Sequence, residues 1–319
     1  MECKVKKFCV VGIGTHASTK LIPALRQNDQ HIVGVVSSQD IFDFNFIGPV
    51  FRTMEEAIAK TPSDTVFLIT SPPKLHFSQT ANALKSGRSV IIEKPAFICR
   101  KDAEEASILA TERQLVMAEA WMYKFSKVYS KFILEWVSSK EQIASLDMVF
   151  TIPEFPRGTF RDSGAFGNSI IFDIGSYPTS LMTDLGISLR HFDIAEAKFE
   201  GSVMTSINVK VRDLINEVNV GFQVGIAETY QNYVNINYYD GRSQKYTFFF
   251  YGRPGVRQIL DRSSAGIEEI VNVKEKNSFC TMLSQPLSVW HSDQAVRFKK
   301  MIATTSFLSA LESVYYSAS

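Results

Sequence analysis

Phe8-Cys9-Val10-Val11-Gly12-Ile13-Gly14-Thr15-His16-Ala17 decides how this chain folds. Four apolar residues without a polar break describe a strand buried on both faces, as in a parallel sheet covered by helices. The GxGxxA turn that follows opens a helix over Ser18 to Arg26, the arrangement of a dinucleotide-binding crossover. Gly12 permits the tight turn, Gly14 lets the backbone approach a pyrophosphate, and Ala17 permits close packing of helix on strand. With Thr15 and His16 in the turn, the helix start offers free N–H groups and a positive dipole end to phosphate. A tight glycine turn without a ligand is the alternative reading, and His16 is either a neighbour of the cofactor or a capping residue.

Working outward, short apolar runs at Ile32–Val36, Thr65–Ile69, Ser89–Ile92 and Leu115–Ala118 alternate with helical patterns at Met54–Lys60, His76–Ser86 and Lys101–Arg113. That alternation predicts a doubly wound parallel sheet over residues 1–122, an α/β domain. The texture changes after Met122. Residues 123–145 read as helix and Leu146–Thr151 as a strand. Pro153–Asn168, rich in Gly, Pro, Arg and Phe, reads as a functional loop. A helix follows over Ser169–Leu185. Long alternating runs fill residues 192–252 and end in Tyr246–Tyr251; they predict antiparallel strands with one buried face. From Asn277 the chain reads helical again. Residues 123–319 are therefore expected to form an α+β domain with a large, mainly antiparallel open sheet that binds substrate and joins subunits. Tyr233, Tyr238, Tyr239, Tyr246, Phe248, Phe250 and Tyr251 either pack a core or make the outer sheet face a subunit interface. The second reading is preferred, which implies a homodimer or homotetramer.

A length of 319 residues favours two domains. The net charge of +1 gives no electrostatic footprint for nucleic acid or an acidic membrane surface. Cys3, Cys9, Cys99 and Cys280 are scattered, without a CxxC pair or a His cluster, so no metal is expected. Cys9 fits a small buried hydrophobe. No cleavable leader is read at the start, and no run of about 18 apolar residues occurs that would span a bilayer. A cytoplasmic protein is the expectation.

The end of the second strand bears on the cofactor. An acidic residue there would hold the ribose 2′-hydroxyl of NAD(H). This chain has Ser37-Ser38-Gln39, and Asp40 comes too late. Small hydroxyl residues admit a 2′-phosphate without charge repulsion, which favours NADP(H), with Arg52 or Lys20 as the supporting cation. Thr70-Ser71-Pro72-Pro73-Lys74-Leu75-His76 forms a rigid loop beside the same crevice. The next strand delivers Glu93-Lys94-Pro95 to its carboxyl end, where such sheets bind ligands. A lysine there can hydrogen-bond a substrate oxygen, stabilise developing negative charge and relay a proton.

Taken together, Gly12–Ala17, Thr70–His76, Glu93-Lys94-Pro95, Glu119-Ala120-Trp121-Met122-Tyr123 and Phe172-Asp173-Ile174-Gly175-Ser176-Tyr177-Pro178 resemble the signatures of the Gfo/Idh/MocA oxidoreductases, in the family's order. The resemblance implies a Rossmann domain followed by a substrate domain, an NAD(P) cofactor, and chemistry at Lys94, Asp173 and Tyr177. Asp173 and Tyr177 are four residues apart and share one helix face. Hydride would come from the nicotinamide and the proton from Tyr177 or Lys94, with Asp173 orienting the pair. Tyr123, Arg161, Asp173, Tyr177 and Tyr230 are the implied substrate contacts. Tyr230-Gln231-Asn232-Tyr233 is similar to a segment of members acting on nucleotide-linked deoxysugars. The family's glycine run is here Gly164-Ala165-Phe166-Gly167-Asn168-Ser169, and its His after the M-Y pair is missing from Lys124-Phe125-Ser126-Lys127. The expected activity is reduction of a keto group on a nucleotide-linked or related sugar. Dehydrogenation of a free sugar, polyol or trans-dihydrodiol, and a non-catalytic NAD(P)-binding sensor, are the alternatives.

Overall fold

In the computed structural model, residues 5–38, 48–153, 169–201, 203–213 and 217–316 are described. Arg161, Asp40, Gln39 and the Gly164–Asn168 run lie outside them. The chain divides into two compact units. The first holds the described residues up to Trp121 together with Phe279–Ser306, and the second holds the rest.

Six parallel strands make the first sheet: β1 (Lys7–Val11), β2 (His31–Val36), β3 (Val50–Phe51), β4 (Val66–Ile69), β5 (Val90–Glu93) and β6 (Met117–Ala120). Their order is β3-β2-β1-β4-β5-β6, so the chain reverses direction across the sheet beside β1. Val11 pairs with Val36 on one side and with Ile69 on the other. Gly12, Ser37 and Thr70 therefore leave the sheet at one edge, the topological switch point where such folds bind ligands. The doubly wound expectation holds because the strands are buried on both sides. Cys9, Val11, Phe67, Ile69 and Ile92 are all within 1% of complete burial, and helix residues Ala57, Ala83, Ala103 and Ala106 pack against them. Burial pushes the Cys9 thiol up to about 12, which suits an inert core residue. Phe298 and Met301 complete this core, and Gln294 bonds the backbone of Leu115 and Met117. Those residues had been expected in the second domain. A C-terminal helix carries no local mark of the core to which it returns.

Eight strands make the second sheet: β7 (Ile143–Ile152), β8 (Phe192–Glu200), β9 (Val203–Asp213), β10 (Val218–Ile226), β11 (Gln231–Tyr238), β12 (Ser243–Thr247), β13 (Gly255–Arg262) and β14 (Glu268–Glu275). The order is β14-β13-β12-β11-β7-β10-β9-β8, antiparallel except for the parallel pair β7–β10. Two expectations are corrected. The strand expected to run through Tyr251 stops at Thr247, because Phe248 takes φ +49° and the chain turns. The sheet then continues through β13 and β14, past residue 252. Exposed charged residues there hide the alternation. The helix Lys127–Ser139 is capped by Ser126, and the buried Glu275 carboxylate accepts from the N–H groups of Lys127 and Val128. Its Phe132 ring meets Tyr246 and Phe249 edge-on.

The aromatic runs divide between core and surface. Tyr238, Tyr246 and Phe250 are at most 4% exposed, while Tyr239 and Phe248 reach the surface. Opposite the buried Leu146 and Met148, the outer face carries Asp147, Asn235 and Asn237, with Asn237 donating to Asp147 at 2.8 Å. Tyr233 lies on the same face, paired with Val149, so the aromatic argument for an interface loses three of its seven rings to the core. Among the described residues no helix is long and apolar enough to cross a membrane, and no group of three His, Cys, Asp or Glu could hold a metal ion.

Candidate functional site

The turn after β1 is built by contact between two loops. Gly12 has φ +88°, its N–H donates to Val36, and a Cβ there would stand 2.8 Å from the Ser71 backbone. Thr70 locks the two loops together: its N–H donates to Val11, and its hydroxyl to the carbonyls of Val11 and Gly12. Nothing lies within 4 Å of a Cβ built on Gly14, which leaves open space above the turn. The helix that follows starts as a π-turn over Ala17–Leu21, with Ala17 buried. Such turns recur at functional sites, and no residue pattern announces them.

Lys94 is half-buried just after β5, in a loop that is tied down from both sides. The Lys94–Pro95 peptide is cis. His76, fully buried, has Nδ1 3.0 Å from the Pro95 carbonyl and Nε2 2.7 Å from that of Ser71. Burial pulls its pKa below the ordinary value, against those carbonyls and the charge of Glu93. His76 was expected among the cofactor contacts. It sits instead between the Ser71 and Pro95 carbonyls, and since a neutral imidazole carries one N–H, it donates to one of the two loops and packs against the other. Glu119 holds the other side, accepting from Ala96 N–H at 2.8 Å and from the Trp121 indole at 2.7 Å. This explains the Glu-x-Trp spacing, which the sequence offered only as a motif. Glu119→Ala should strand both donors and cost about 2–4 kcal/mol. Urea unfolding followed by tryptophan fluorescence would read the loss, and an unchanged midpoint would remove Glu119 from this role.

Glu93 itself is 9% exposed, and its Oε1 accepts no hydrogen bond from the described residues. His16 Nε2 stands 3.5 Å from that oxygen, with the His16 ring edge-on to Phe279. An orphaned carboxylate oxygen beside the glycine turn is an acceptor for a ligand hydroxyl. Ser37 donates its N–H to Phe51, and Val36 pairs with Phe51. Arg52 therefore follows directly beside Ser37, at the same edge as the glycine turn. Open space over Gly14, a helix N-terminus, an unused acceptor at Glu93 and a cation beside Ser37 together fit a dinucleotide.

In the second unit, Asp173 lies in a π-turn over Ile171–Gly175, and Tyr177 follows in the helix Ser176–Asp184. The wider π-turn still keeps positions four apart on one face. Tyr177 is 8% exposed, with its hydroxyl 3.9 Å from Met122 Sδ and its ring against Phe150 and Phe250. Tyr123, expected to touch substrate, is fully buried, bonded through its hydroxyl to Ser180 at 2.7 Å and ringed by Tyr129, Tyr177, Phe249 and Phe250. Its place is the core. Burial also drives its phenol well above the ordinary value, which suits a hydroxyl that never ionises. Tyr230 is at the surface, 37% exposed.

With this geometry in place, comparison with known proteins gives a family match over the first unit's strands. Residues 6–120 match the Gfo/Idh/MocA model, described as an oxidoreductase family with an NAD-binding Rossmann fold, in line with the resemblance of the motifs at Gly12–Ala17, Thr70–His76 and Glu93-Lys94-Pro95. A dTDP-3,4-didehydro-2,6-dideoxy-alpha-D-glucose 3-reductase from Streptomyces antibioticus is 28% identical over 177 residues. The match takes in 54% of this chain and 54% of that enzyme, so the chain spans about half the length of this curated relative. The enzyme of the same name from Saccharopolyspora spinosa is 23% identical over 63% of this chain and 64% of its own. Among solved structures, a 3-ketoreductase from Actinomadura kijaniata in complex with NADP and TDP-benzene superposes with TM-score 0.81. It is 18% identical and covers 97% of this chain and 98% of its own. An aldose-aldose oxidoreductase from Caulobacter crescentus gives the same TM-score at 13% identity, covering 99% of both. At such identities the superpositions speak for the fold alone. They match the Rossmann sheet and the larger, mainly antiparallel sheet in one chain.

Proposed function

We propose that this chain is an NADP(H)-dependent oxidoreductase that reduces a keto group on a nucleotide-linked or related sugar. The observation that carries the reading is the lysine-bearing loop after β5, braced by His76 and Glu119, beside a glycine turn with an unused carboxylate oxygen. Gly12, Gly14, Thr15, Ala17, Thr70 and Ser71 would line the phosphates. His16 and Glu93 would meet the ribose, and Ser37 and Ser38 with Arg52 the adenosine 2′-phosphate. When bound, the nicotinamide supplies hydride. Lys94 stabilises the developing alkoxide, Lys94 or Tyr177 delivers the proton, and Asp173 orients the donor. Residues 1–121, with Phe279–Ser306 packed on them, bind the cofactor in this reading, and 122–278 the substrate. The relatives named 3-reductases support the ketone as the reacting group. We also assign the protein to the cytoplasm, as a homodimer or homotetramer joined through the C-terminal sheet.

Two measurements test this. Purified protein is screened for NADPH oxidation against keto-sugars, free and nucleotide-linked; no turnover with any of them would remove the sugar from the proposal. Arg52→Ala tests the cofactor. A charge-assisted bond to phosphate is worth about 1.5–3 kcal/mol, so the NADPH Kd should rise roughly ten-fold or more while that for NADH stays put. Equal effects on both cofactors would mean that Arg52 does not read the 2′-phosphate.

A further inference from the structure

Phe248 occupies a backbone conformation that a bulky residue rarely takes, φ +49°, and gains no burial by it. Its neighbours Phe249 and Phe250 are almost fully buried, whereas its own ring is 45% exposed. Glycine would hold this turn without strain. A strained aromatic kept at the surface indicates a use for the ring. That ring lies nearly parallel to Tyr230, with centroids 6.1 Å apart and planes 19° apart. Asn232, 5% exposed, ties Tyr230 to the backbone two residues past Phe248. Its amide donates to the Tyr230 hydroxyl at 2.9 Å, and its carbonyl accepts from Phe250 N–H at 2.8 Å. The Tyr-x-Asn spacing thus serves to hold a two-ring shelf.

Cations flank the shelf. The Arg257 guanidinium is buried 4.9 Å from the Tyr251 centroid and 6.0 Å from Phe248, and it donates to the Arg253 carbonyl. Arg253 is exposed, 5.8 Å over Tyr251. The charges of both arginines act on the Tyr230 phenol, opposing the rise that burial gives it. On the other side, Phe150 contacts both Tyr230 and Tyr177, so a single ring separates the shelf from Tyr177.

Stacked aromatic faces take planar bases, and a guanidinium takes phosphate. We infer that Tyr230 and Phe248 stack the nucleobase of a nucleoside-diphosphate-linked sugar, and that Arg253, positioned by Arg257 and Tyr251, takes its diphosphate. This rests on the reading of Tyr177 as a residue at the sugar end, and it fixes the substrate as nucleotide-linked rather than free.

The test is calorimetric titration with thymidine diphosphate, uridine diphosphate and thymidine, using the full-length protein saturated with NADPH. Phe248→Gly should keep or raise the melting temperature, because it relieves the strained φ, yet weaken diphosphate binding about ten-fold. Arg253→Gln should weaken both diphosphates by a similar factor while leaving thymidine unchanged. Equal diphosphate affinity in the wild type and Phe248→Gly would overturn the shelf. So would a change in oligomeric state with diphosphate affinity intact, which would make the rings a subunit contact. A wild type that reduces free keto-sugars but binds neither diphosphate sinks the shelf and leaves the reductase standing. Diphosphate binding that depends on Phe248, with no keto-sugar reduced, supports the shelf and sinks the reductase.

Discussion

Lys94→Ala is expected to lower turnover by about 10²–10⁴-fold, the usual contribution of a positioned proton donor or electrostatic stabiliser. The Kd for NADPH should stay within a few-fold of wild type. The separation of the two effects follows from how the loop is held. His76 packs against the Pro95 and Ala96 carbonyls and Glu119 grips the Ala96 N–H, all through backbone groups that the substitution leaves alone. The amine can be removed without releasing the turn that carries it. Single-turnover rates beside a fluorescence titration of NADPH would show kcat and kcat/KM falling together, the mark of an interaction made in the transition state. Comparable activity in the alanine variant would remove Lys94 from the chemistry. Tyr177→Phe, measured alongside, separates the proton donors: the residue whose loss also removes the basic limb of the pH–rate profile is the donor.

How much of this was legible in the sequence depended on the range of the interactions. The buried strands Phe8–Val11 and Thr65–Ile69 announce themselves, because a strand covered on both faces has no polar alternation to confuse it. The glycine turn is equally local. β3 has two residues, too few for any period, and its existence rests on Val35 and Val36 pairing with Val50 and Phe51, more than ten residues further along the chain. The end of β12 was missed because Tyr246-Thr247-Phe248-Phe249-Phe250-Tyr251 alternates nothing: three consecutive phenylalanines fit a core strand as well as a turn, and only the φ of Phe248 decides. At the site, Lys94 and Glu93 were found from an apolar strand ending in charge. The brace by Glu119, the buried place of Tyr123 and the Asn232 bracket all depend on partners distant in sequence or on burial, which no local pattern carries.

Gly12→Ala and Gly14→Ala should behave in opposite ways, and the contrast tests the dinucleotide site independently of any substrate. At Gly12 an added methyl group would meet the Cα and N of Ser71 at 2.8 Å, on a backbone held at φ +88°. A left-handed conformation costs a non-glycine residue about 1–3 kcal/mol, and forced overlap in a packed site about 1–3 kcal/mol more. The obstacle is backbone on the neighbouring loop, itself locked by Thr70 and set against His76, so it cannot step aside as a side-chain tip would. Gly12→Ala should therefore melt about 5–15 °C below wild type, whether or not cofactor is present. At Gly14 the methyl group meets nothing within 4 Å, and the φ lies outside the left-handed range. Stability should be unchanged or slightly raised. If a pyrophosphate lies against this backbone, the same methyl group occupies its place, and the NADPH Kd should rise at least about ten-fold, the loss of some 1.4 kcal/mol. Thermal melts and NADPH titrations of both variants decide the matter. A Gly12→Ala protein as stable as wild type would refute the contact between the two loops. A Gly14→Ala protein that binds NADPH normally would move the phosphates off this turn, and the helix N-terminus at Ala17 would lose its proposed ligand with them.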